Sequence, residues 1–418
     1  MTRILLVGNG AREHALAAAL TKADVEIIAH MDKVNPGIAA LAKEVSINTL
    51  MDPRKLPDLE GIDYAVIGPE APLSIGMVDY LDSNGIESIG PHQITARIET
   101  SKALARRVLE KVAKTANPQF EIIRSIDALR KFEDKIGVEN LVVKPDGLTG
   151  GKGVKIFGDH FKTRDELEKY AKSLLIDHGI VILEEKMVGT EFTVQAFSDG
   201  KRLESMPLVR DYKRAYDEDQ GPNTGSMGSY SREDHGLGYV TDDDLAIAKD
   251  IMQRTILGLK KQTSKEYRGI LYGQFMKTSS GIKVVEFNAR FGDPEAMNVL
   301  SILTSSLDDV FQSMIDGVVI KPAFEKKATV CVYIVPEGYP GPDVIKDKPI
   351  SLVPGMESEV YYASVYDKDG VIHTTGSRAI GILAKGDSVP EARRIAYKDA
   401  ERVNGKIRYR RDIAQGIN

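Results

Sequence analysis

The sequence predicts an α/β protein, α+β over its whole length, with a parallel N-terminal sheet and a mostly β C-terminal region. Three observations carry this. Short apolar runs alternate with helix-like stretches up to about residue 90, the pattern of a sheet covered on both faces by helices. Beyond residue 323 strand-like segments dominate, with one helical stretch near 390–403. The chain has 418 residues, more than one compact core accommodates, so roughly two to four domains are expected.

Taken in order, residues 4–7 form a first strand, followed by glycines and a helix over 11–20. Residues 25–29, 45–47, 64–67 and 87–89 are further strands, and Gly90-Pro91 closes this region. Ala-, Arg- and Leu-rich helices cover 100–114. A strand–helix–strand–loop–strand stretch spans 120–157, with a helix over 165–177 and a strand at 180–183. Strands at 193–197 and 203–206 lead into the polar, glycine-bearing segment 211–230, which reads as a long loop of the functional or disordered kind. A helix over 242–261 and strands at 270–276 and 282–287 follow, and Lys321-Pro322 with the charged run 325–327 reads as a linker.

Hydrophobic residues make up 42% and charged residues 28%, the proportions of a globular protein, and the net charge of −5 is spread along the chain. The basic footprint of a nucleic-acid binder is missing. The single Cys331 excludes an intrachain disulfide, and within the apolar run 329–335 it reads as a buried strand residue. No stretch reaches the ~20 apolar residues of a membrane span, and the first apolar run is too short for a signal-peptide core, so the cytoplasm is the expected location. None of the seven histidines has zinc-ligand spacing.

Several motifs carry chemistry. Gly8-Asn9-Gly10-Ala11-Arg12-Glu13 joins a strand to a helix; a dinucleotide fingerprint would need glycine where Glu13 stands. Two readings remain there, a tight turn or an approach of backbone to phosphate. Gly68-Pro69-Glu70 follows a strand at the carboxyl edge of the sheet, where Glu70 either accepts from sugar hydroxyls or only complements a helix dipole. In Lys144-Pro-Asp-Gly147-Leu-Thr-Gly150-Gly151-Lys152-Gly153 a strand-end lysine precedes a glycine-rich loop with a second lysine. Such a loop can wrap phosphates with backbone N–H groups while the two ammonium groups offset charge, although the spacing is not that of a Walker A loop. The strand ending in Glu184-Glu185-Lys186-Met187-Val188, with Glu191 beyond it, suits recognition of adenine by backbone and of ribose by a carboxylate, or is a solvated strand end. In Glu286-Phe-Asn288-Ala-Arg290-Phe-Gly-Asp293, strand alternation puts Glu286 and Asn288 on one face, with Gln274 a third hard-oxygen donor from the preceding strand. Arg290 shares their parity and can pair with carboxylate or phosphate. Within 211–230, Asp211, Lys213, Asn223, Thr224 and Gly225 form a polar loop suited to substrate contact or simply mobile at the surface.

Together these motifs resemble the ATP-grasp ligases, and within them the glycinamide ribonucleotide synthetase family. The resemblance rests on VGNGAREHAL, AVIGPEAPLSIGMVD, ETSKALAR, VVKPDGLTGGKGV, KRAYDEDQGPNTGSMGSYS, VVEFNARFGDPE, VPEGYPG and RRDI, in the family's order along nearly the whole chain. Asn9, Ala11, Ser226 and residues 296–298 depart from the usual pattern without removing a charged or metal-binding group. The resemblance implies an N-terminal domain over 1–99, an ATP-grasp domain over 100–322 with a lid at about 118–188, and a C-terminal domain over 323–418. It implies ATP contacts from Lys102, Lys144, Gly147, Gly150, Gly151, Lys152, Gly153, Glu184, Glu185, Lys186, Val188 and Glu191, and Mg2+ or Mn2+ on Gln274, Glu286 and Asn288. Gly8, Gly10, Glu13, Glu70, Asp211, Lys213, Asn223, Thr224, Gly225, Arg290 and Asp293 would meet the other substrates, with Arg290 and Lys144 catalytic. The implied reaction is ATP-dependent ligation of glycine to 5-phosphoribosylamine through glycyl phosphate, a step of purine biosynthesis. The expected partners are small molecules, without nucleic acid or membrane, and the expected assembly is a monomer or weak homodimer. Another ATP-grasp ligase and a non-catalytic nucleotide-binding module are the competing readings.

Overall fold

The computed structural model describes residues 1–148 and 153–417. Its first sheet is wholly parallel, in the order Glu44–Ile47, Val25–Met31, Thr2–Val7, Tyr64–Ile67, Glu87–Ile89. The inner strands are continuous apolar runs because helices cover both faces. Strand order reverses between Thr2–Val7 and Tyr64–Ile67, so the loops starting at Gly8 and Gly68 lie side by side at the switch point, where open α/β sheets bind ligands.

A small antiparallel sheet, Phe120–Ile123, Val181–Glu185, Leu141–Pro145 and Lys155–Ile156, carries the helices Ile126–Ile136 and Arg164–His178. Both helices are capped at their N-termini, by Ser125 on the Ala128 amide and by the Thr163/Glu166 capping box. Ile123, Leu129, Phe132, Val143, Leu167 and Leu183 form an apolar core of this unit's own. Such a unit can move as one body.

The next sheet runs Leu203–Ser205, Gly189–Asp199, Arg268–Thr278, Gly281–Asn288, all antiparallel. A register shift between Gln274 and Phe275 leaves Gln274 opposite Glu286 and Tyr272 opposite Asn288. Irregularities of this kind re-aim side chains beside functional sites. Helix Asp242–Thr263 covers the sheet, with Asp242, Asp243 and Asp244 in its first turn and Lys260 and Lys261 in its last, matching the helix dipole at both ends.

The segment 211–230 is ordered, which corrects its reading as a loop. It contributes to the strands Arg210–Asp211, Arg214–Tyr216, Gln220–Asn223 and Gly228–Ser231. Two of these join a sheet otherwise built from the chain's last third, in the order Arg210–Asp211, Gly228–Ser231, Ala328–Pro336, Ile380–Gly386, Glu359–Tyr362. Helix Glu295–Ser301 has no legible pattern, since nearly every residue is buried and it has no polar face. Leu307–Ile315, also missing from the sequence reading, instead buries Leu307, Val310, Phe311 and Met314 at helical spacing. Cys331 lies fully buried in Ala328–Pro336, and burial raises its thiol pKa. His14 and Asn35 tie the first sheet to the last: the Tyr362 amide donates to His14 Nδ1 at 2.9 Å, and Asn35 Nδ2 donates to the Tyr362 carbonyl at 2.7 Å. No helix among the described residues is long and apolar enough to cross a membrane.

Candidate active site

A cleft of about 880 Å³ lies where the lid-like sheet, the central sheet and the two terminal regions meet. One wall is basic. Lys144, at the end of Leu141–Pro145, places Nζ 2.7 Å from Glu184, and Arg106 grips the same carboxylate through two 2.7 Å contacts. Burial alone would raise the Glu184 pKa, but Arg106 and Lys144 outweigh it and hold the group at about 2. Glu184, at the cleft lining, is therefore engaged by protein groups and orients Lys144. Lys102 donates to the Gly147 carbonyl at 2.8 Å, and burial lowers its pKa. Asp146, one residue before, accepts from Ser101 Oγ and the Ala103 amide, fixing the start of the glycine-rich loop to the N-terminus of helix Lys102–Val112. Gly147 has φ +106°, which favours glycine there. Gly150, Gly151 and Lys152 lie outside the described residues. Glu185 and Lys186 line the cleft; Val188, 78% exposed, and Gly153 do not.

The opposite wall is the strand pair Arg268–Thr278 and Gly281–Asn288. Gln274, Glu286 and Asn288 all line the cleft. Burial would raise the Glu286 pKa, yet Lys213, Lys144, Lys102 and Arg290 lower it, so the carboxylate stays ionised. Gln274 donates through Nε2 to Glu191, while its Oε1 is buried with no hydrogen-bond partner among the described residues. An orphaned hard oxygen facing an ionised carboxylate fits a hard divalent cation. Among the described residues no group of three or more His, Cys, Asp or Glu could cage a metal. A cation here would draw its remaining ligands from phosphate and water.

Arg290 turns toward two acids. Its Nε donates to Glu70 at 3.1 Å, Nη2 lies 3.0 Å from Glu99 and 3.4 Å from Asn288 Oδ1, and Nη1 donates to the Phe291 carbonyl at 3.2 Å. Burial would raise Glu70, but Arg290 and Arg12 hold it at about 2; burial pushes Glu99 up to about 7. Arg12 donates to the Phe291 carbonyl at 3.2 Å and pairs with Glu13 at 2.6 Å.

The first glycine loop is shaped around a buried carboxylate. Glu13 Oε2 accepts from the Gly10 amide at 2.6 Å, closing the helix start from within. An added Cβ would lie 2.2 Å from Glu13 Oε1 at Gly68 and 2.6 Å from Glu13 Cγ at Gly8. The glycines make room for a buried carboxylate, and Gly8, Gly10 and Glu13 sit behind the cleft surface.

The remaining wall comes from the 211–230 segment. Asp211, Lys213, Asn223, Thr224 and Gly225 line the cleft, as does Asp293, which pairs with Arg378 at 2.9 Å. Burial would lower the Lys213 pKa, but Asp211, Glu191 and Glu286 raise it. Glu295 is pushed up to about 7 by burial and by repulsion from Asp211, with Tyr272 donating to it at 2.9 Å. Arg12, Glu99, Arg106 and Glu295 went unassigned in the sequence although each lies inside a motif quoted for its neighbours. Their only signal was charge at positions that the helix and strand periods turn inward. Arg378 had no local signal.

Three matches cover nearly the whole chain: the N domain of phosphoribosylglycinamide synthetase over residues 2–99, its ATP-grasp (A) domain over 100–296 and its C domain over 329–416. A phosphoribosylamine–glycine ligase of Methanocella arvoryzae is 43% identical, with 99% of this chain and 96% of that protein covered. One of Methanocorpusculum labreanum is 46% identical, with coverage of 98% and 96%. The crystal structure of phosphoribosylamine–glycine ligase from Thermotoga maritima superposes with a TM-score of 0.84 at 29% identity, covering 99% of this chain and 100% of that one. A biotin carboxylase domain from Hydrogenobacter thermophilus shares the fold at a TM-score of 0.76 and 14% identity, covering 98% of this chain and 91% of that one.

Proposed function

The chain belongs to the phosphoribosylglycinamide synthetase family, and from that premise we propose how its cleft joins glycine to 5-phosphoribosylamine with ATP, giving glycinamide ribonucleotide, ADP and phosphate. The observation that carries the reading is the facing of two walls: Lys102 and Lys144 on one, and Gln274, Glu286, Asn288 and Arg290 on the other.

A carboxylate is a poor electrophile, so amide formation in water needs activation. A carboxylate oxygen of glycine attacks the γ-phosphorus of ATP, the bond to the bridging oxygen breaks, and ADP leaves. The amine nitrogen of phosphoribosylamine then attacks the acyl carbon of glycyl phosphate, loses a proton, and inorganic phosphate departs. In the first step the protein positions reactants and neutralises charge. Lys102 and Lys144 face the phosphates, Lys144 being aimed by Glu184. Glu286 and Asn288, with Gln274, would hold a divalent cation, Mg2+ or Mn2+, which supplies Lewis-acid neutralisation of phosphate oxygens. Arg290 sits beside them on the transferring group, held by Glu70 and Glu99. Glu185, Lys186 and Glu191 serve the adenosine end and Gly147 the phosphates; for Val188, Gly150, Gly151, Lys152 and Gly153 the family likeness alone supports a nucleotide contact. Asp211, Lys213, Asn223, Thr224, Gly225 and Asp293 meet glycine and the sugar phosphate, and Gly8, Gly10 and Glu13 support Arg12 from behind. Glycyl phosphate hydrolyses readily, so closure of the small sheet over the cleft protects it.

We draw the boundaries at 1–99, 100–322 with a lid at 118–188, and 323–418, supported for the lid by its separate apolar core. We assign the enzyme to the cytoplasm. The test is a coupled assay of ADP release with glycine and phosphoribosylamine omitted in turn. Release that continues without glycine, or that another amino acid supports equally well, would sink the assignment.

A further inference from the structure

We infer that the C-terminal segment at residues 408–414 is a positioning element of the cleft, and that Arg410 is its central positioning residue. The identity of the substrates rests on the ligase reading above; the mechanical link rests on geometry alone.

The hairpin Arg214–Tyr216 and Gln220–Asn223 is exposed from residue 216 to residue 223 and has no apolar core to hold it. It is held by polar contacts from residues 408–412, nearly two hundred positions later in the chain. Arg408 donates to the Ala215 carbonyl at 2.9 Å. Arg410 donates to the Arg214 carbonyl and to Asp219, both at 3.0 Å. The Arg411 amide donates to Asp217 at 2.7 Å, and the Glu218 amide donates to Asp412 at 2.9 Å.

The segment is itself fixed. Arg410 is 1% exposed, forms a two-point pair with Asp412 at 2.8 and 2.6 Å, and lies over the Tyr212 ring. Helix Val389–Ala400 holds it from behind: Arg393 donates to the Arg411 and Ile413 carbonyls, and Tyr397 donates to the Arg410 carbonyl at 2.7 Å. At the other end of the same loop Arg378, also from the C-terminal region, donates to the Gly225 and Ser226 carbonyls and pairs with Asp293.

The inner side of the hairpin is cleft wall. Lys213 stands 3.9 Å from Glu191, and the Thr224 amide closes the hairpin base on the Lys213 carbonyl at 2.7 Å. Arg410 cannot touch a substrate, being buried with its donors engaged, so it acts only through the position of Lys213, Asn223 and Thr224. A shift of about 1 Å in such groups costs on the order of 10²-fold in rate.

The test uses the full-length protein and two variants, Arg410→Lys, which keeps the charge but loses the fork, and Asp217→Ala, which removes one exposed acceptor outside the cleft. Hydrogen exchange over residues 213–223 reads the link without any assumption about substrate. Steady-state kinetics with glycine varied, ADP titration and thermal melting are read alongside. The expected result is faster exchange in the hairpin, kcat/KM for glycine lower by roughly tenfold or more in Arg410→Lys and less in Asp217→Ala, ADP affinity within about twofold, and a Tm nearly unchanged in Asp217→Ala and lowered in Arg410→Lys. If Arg410→Lys fails to fold, Asp217→Ala decides by the same readouts. Unchanged hairpin exchange, or a loosened hairpin with unchanged kcat/KM, overturns the inference. A parent protein that does not turn over glycine and phosphoribosylamine overturns the ligase reading instead, and the exchange data still judge the link.

Discussion

Glu286 and Arg290 are the side chains on which the proposed chemistry turns most directly. Glu286 stays ionised although half-buried, because the charges of Lys213, Lys144, Lys102 and Arg290 favour the carboxylate. Replacing it by glutamine keeps shape and removes charge, so Glu286→Gln should lower turnover by on the order of 10²-fold or more while leaving folding intact. Activity within about threefold of the parent would reject its metal role. Arg290 already gives Nε to Glu70 and Nη1 to the Phe291 carbonyl, with Glu99 against Nη2. A planar two-point grip on glycine's carboxylate would have to displace one of these acids, whereas a single-point contact on the transferring phosphoryl group would not. Arg290→Lys should therefore lower kcat and kcat/KM together, by about tenfold or more, with the KM for glycine little changed. A raised glycine KM at preserved kcat would assign Arg290 to the carboxylate. At this scale the sequence singled out residues of the cleft wall better than their supports. Glu286, Asn288 and Lys144 stand at strand ends with clear parity, whereas Glu99 and Arg106 take their meaning from partners 191 and 78 residues away, which no local pattern encodes.

Alanine-rich or apolar runs bounded by glycine were legible: helix Ala11–Leu20 and strands Tyr64–Ile67 and Glu87–Ile89 fall where those runs put them. The segment 211–230 was not, because its strands are rich in glycine and polar residues and owe their order to Ala328–Pro336 and to residues 408–412. What joins elements across the cleft is also electrostatic. Glu184, on Val181–Glu185, links Lys144 on the neighbouring strand to Arg106 on helix Lys102–Val112. Glu184→Gln leaves two buried cations without their counter-charge and should destabilise the fold by about 3 kcal/mol at neutral pH. The folded pKa, about 2, lies below the ordinary 4.5, so this contribution is present above pH 4.5 and fades as pH falls toward 2. Urea unfolding of parent and variant across that window should show the gap closing with acid. A gap independent of pH would mean that packing, not charge, is lost.

The whole molecule places its cleft among all its parts, and this decides how a divalent cation could be held. The N-terminal sheet brings Glu70 and Arg12, the small sheet Lys144, the central sheet Glu286 and Asn288, and the C-terminal region Arg378. The order of these parts along the chain was legible, but not the mixing by which strands Arg210–Asp211 and Gly228–Ser231 enter the C-terminal sheet, since pairing over such distances leaves no periodic trace. The parts meet through apolar cores and ion pairs, and none of the described residues forms a three-ligand acidic, histidine or cysteine cage. A divalent cation with only Glu286, Asn288 and Gln274 from the protein depends on nucleotide phosphates for the rest of its shell, so it should bind with ATP and contribute nothing to the empty fold. Removing metal with EDTA should therefore abolish turnover while leaving the Tm of the nucleotide-free protein unchanged. Excess Mg2+ or Mn2+ should restore activity. Nucleotide with metal, at about a hundred times its Kd, should stabilise the protein by about 2.7 kcal/mol, and nucleotide with EDTA by clearly less. A Tm that falls on chelation without nucleotide would reveal a structural metal and contradict this account of the site.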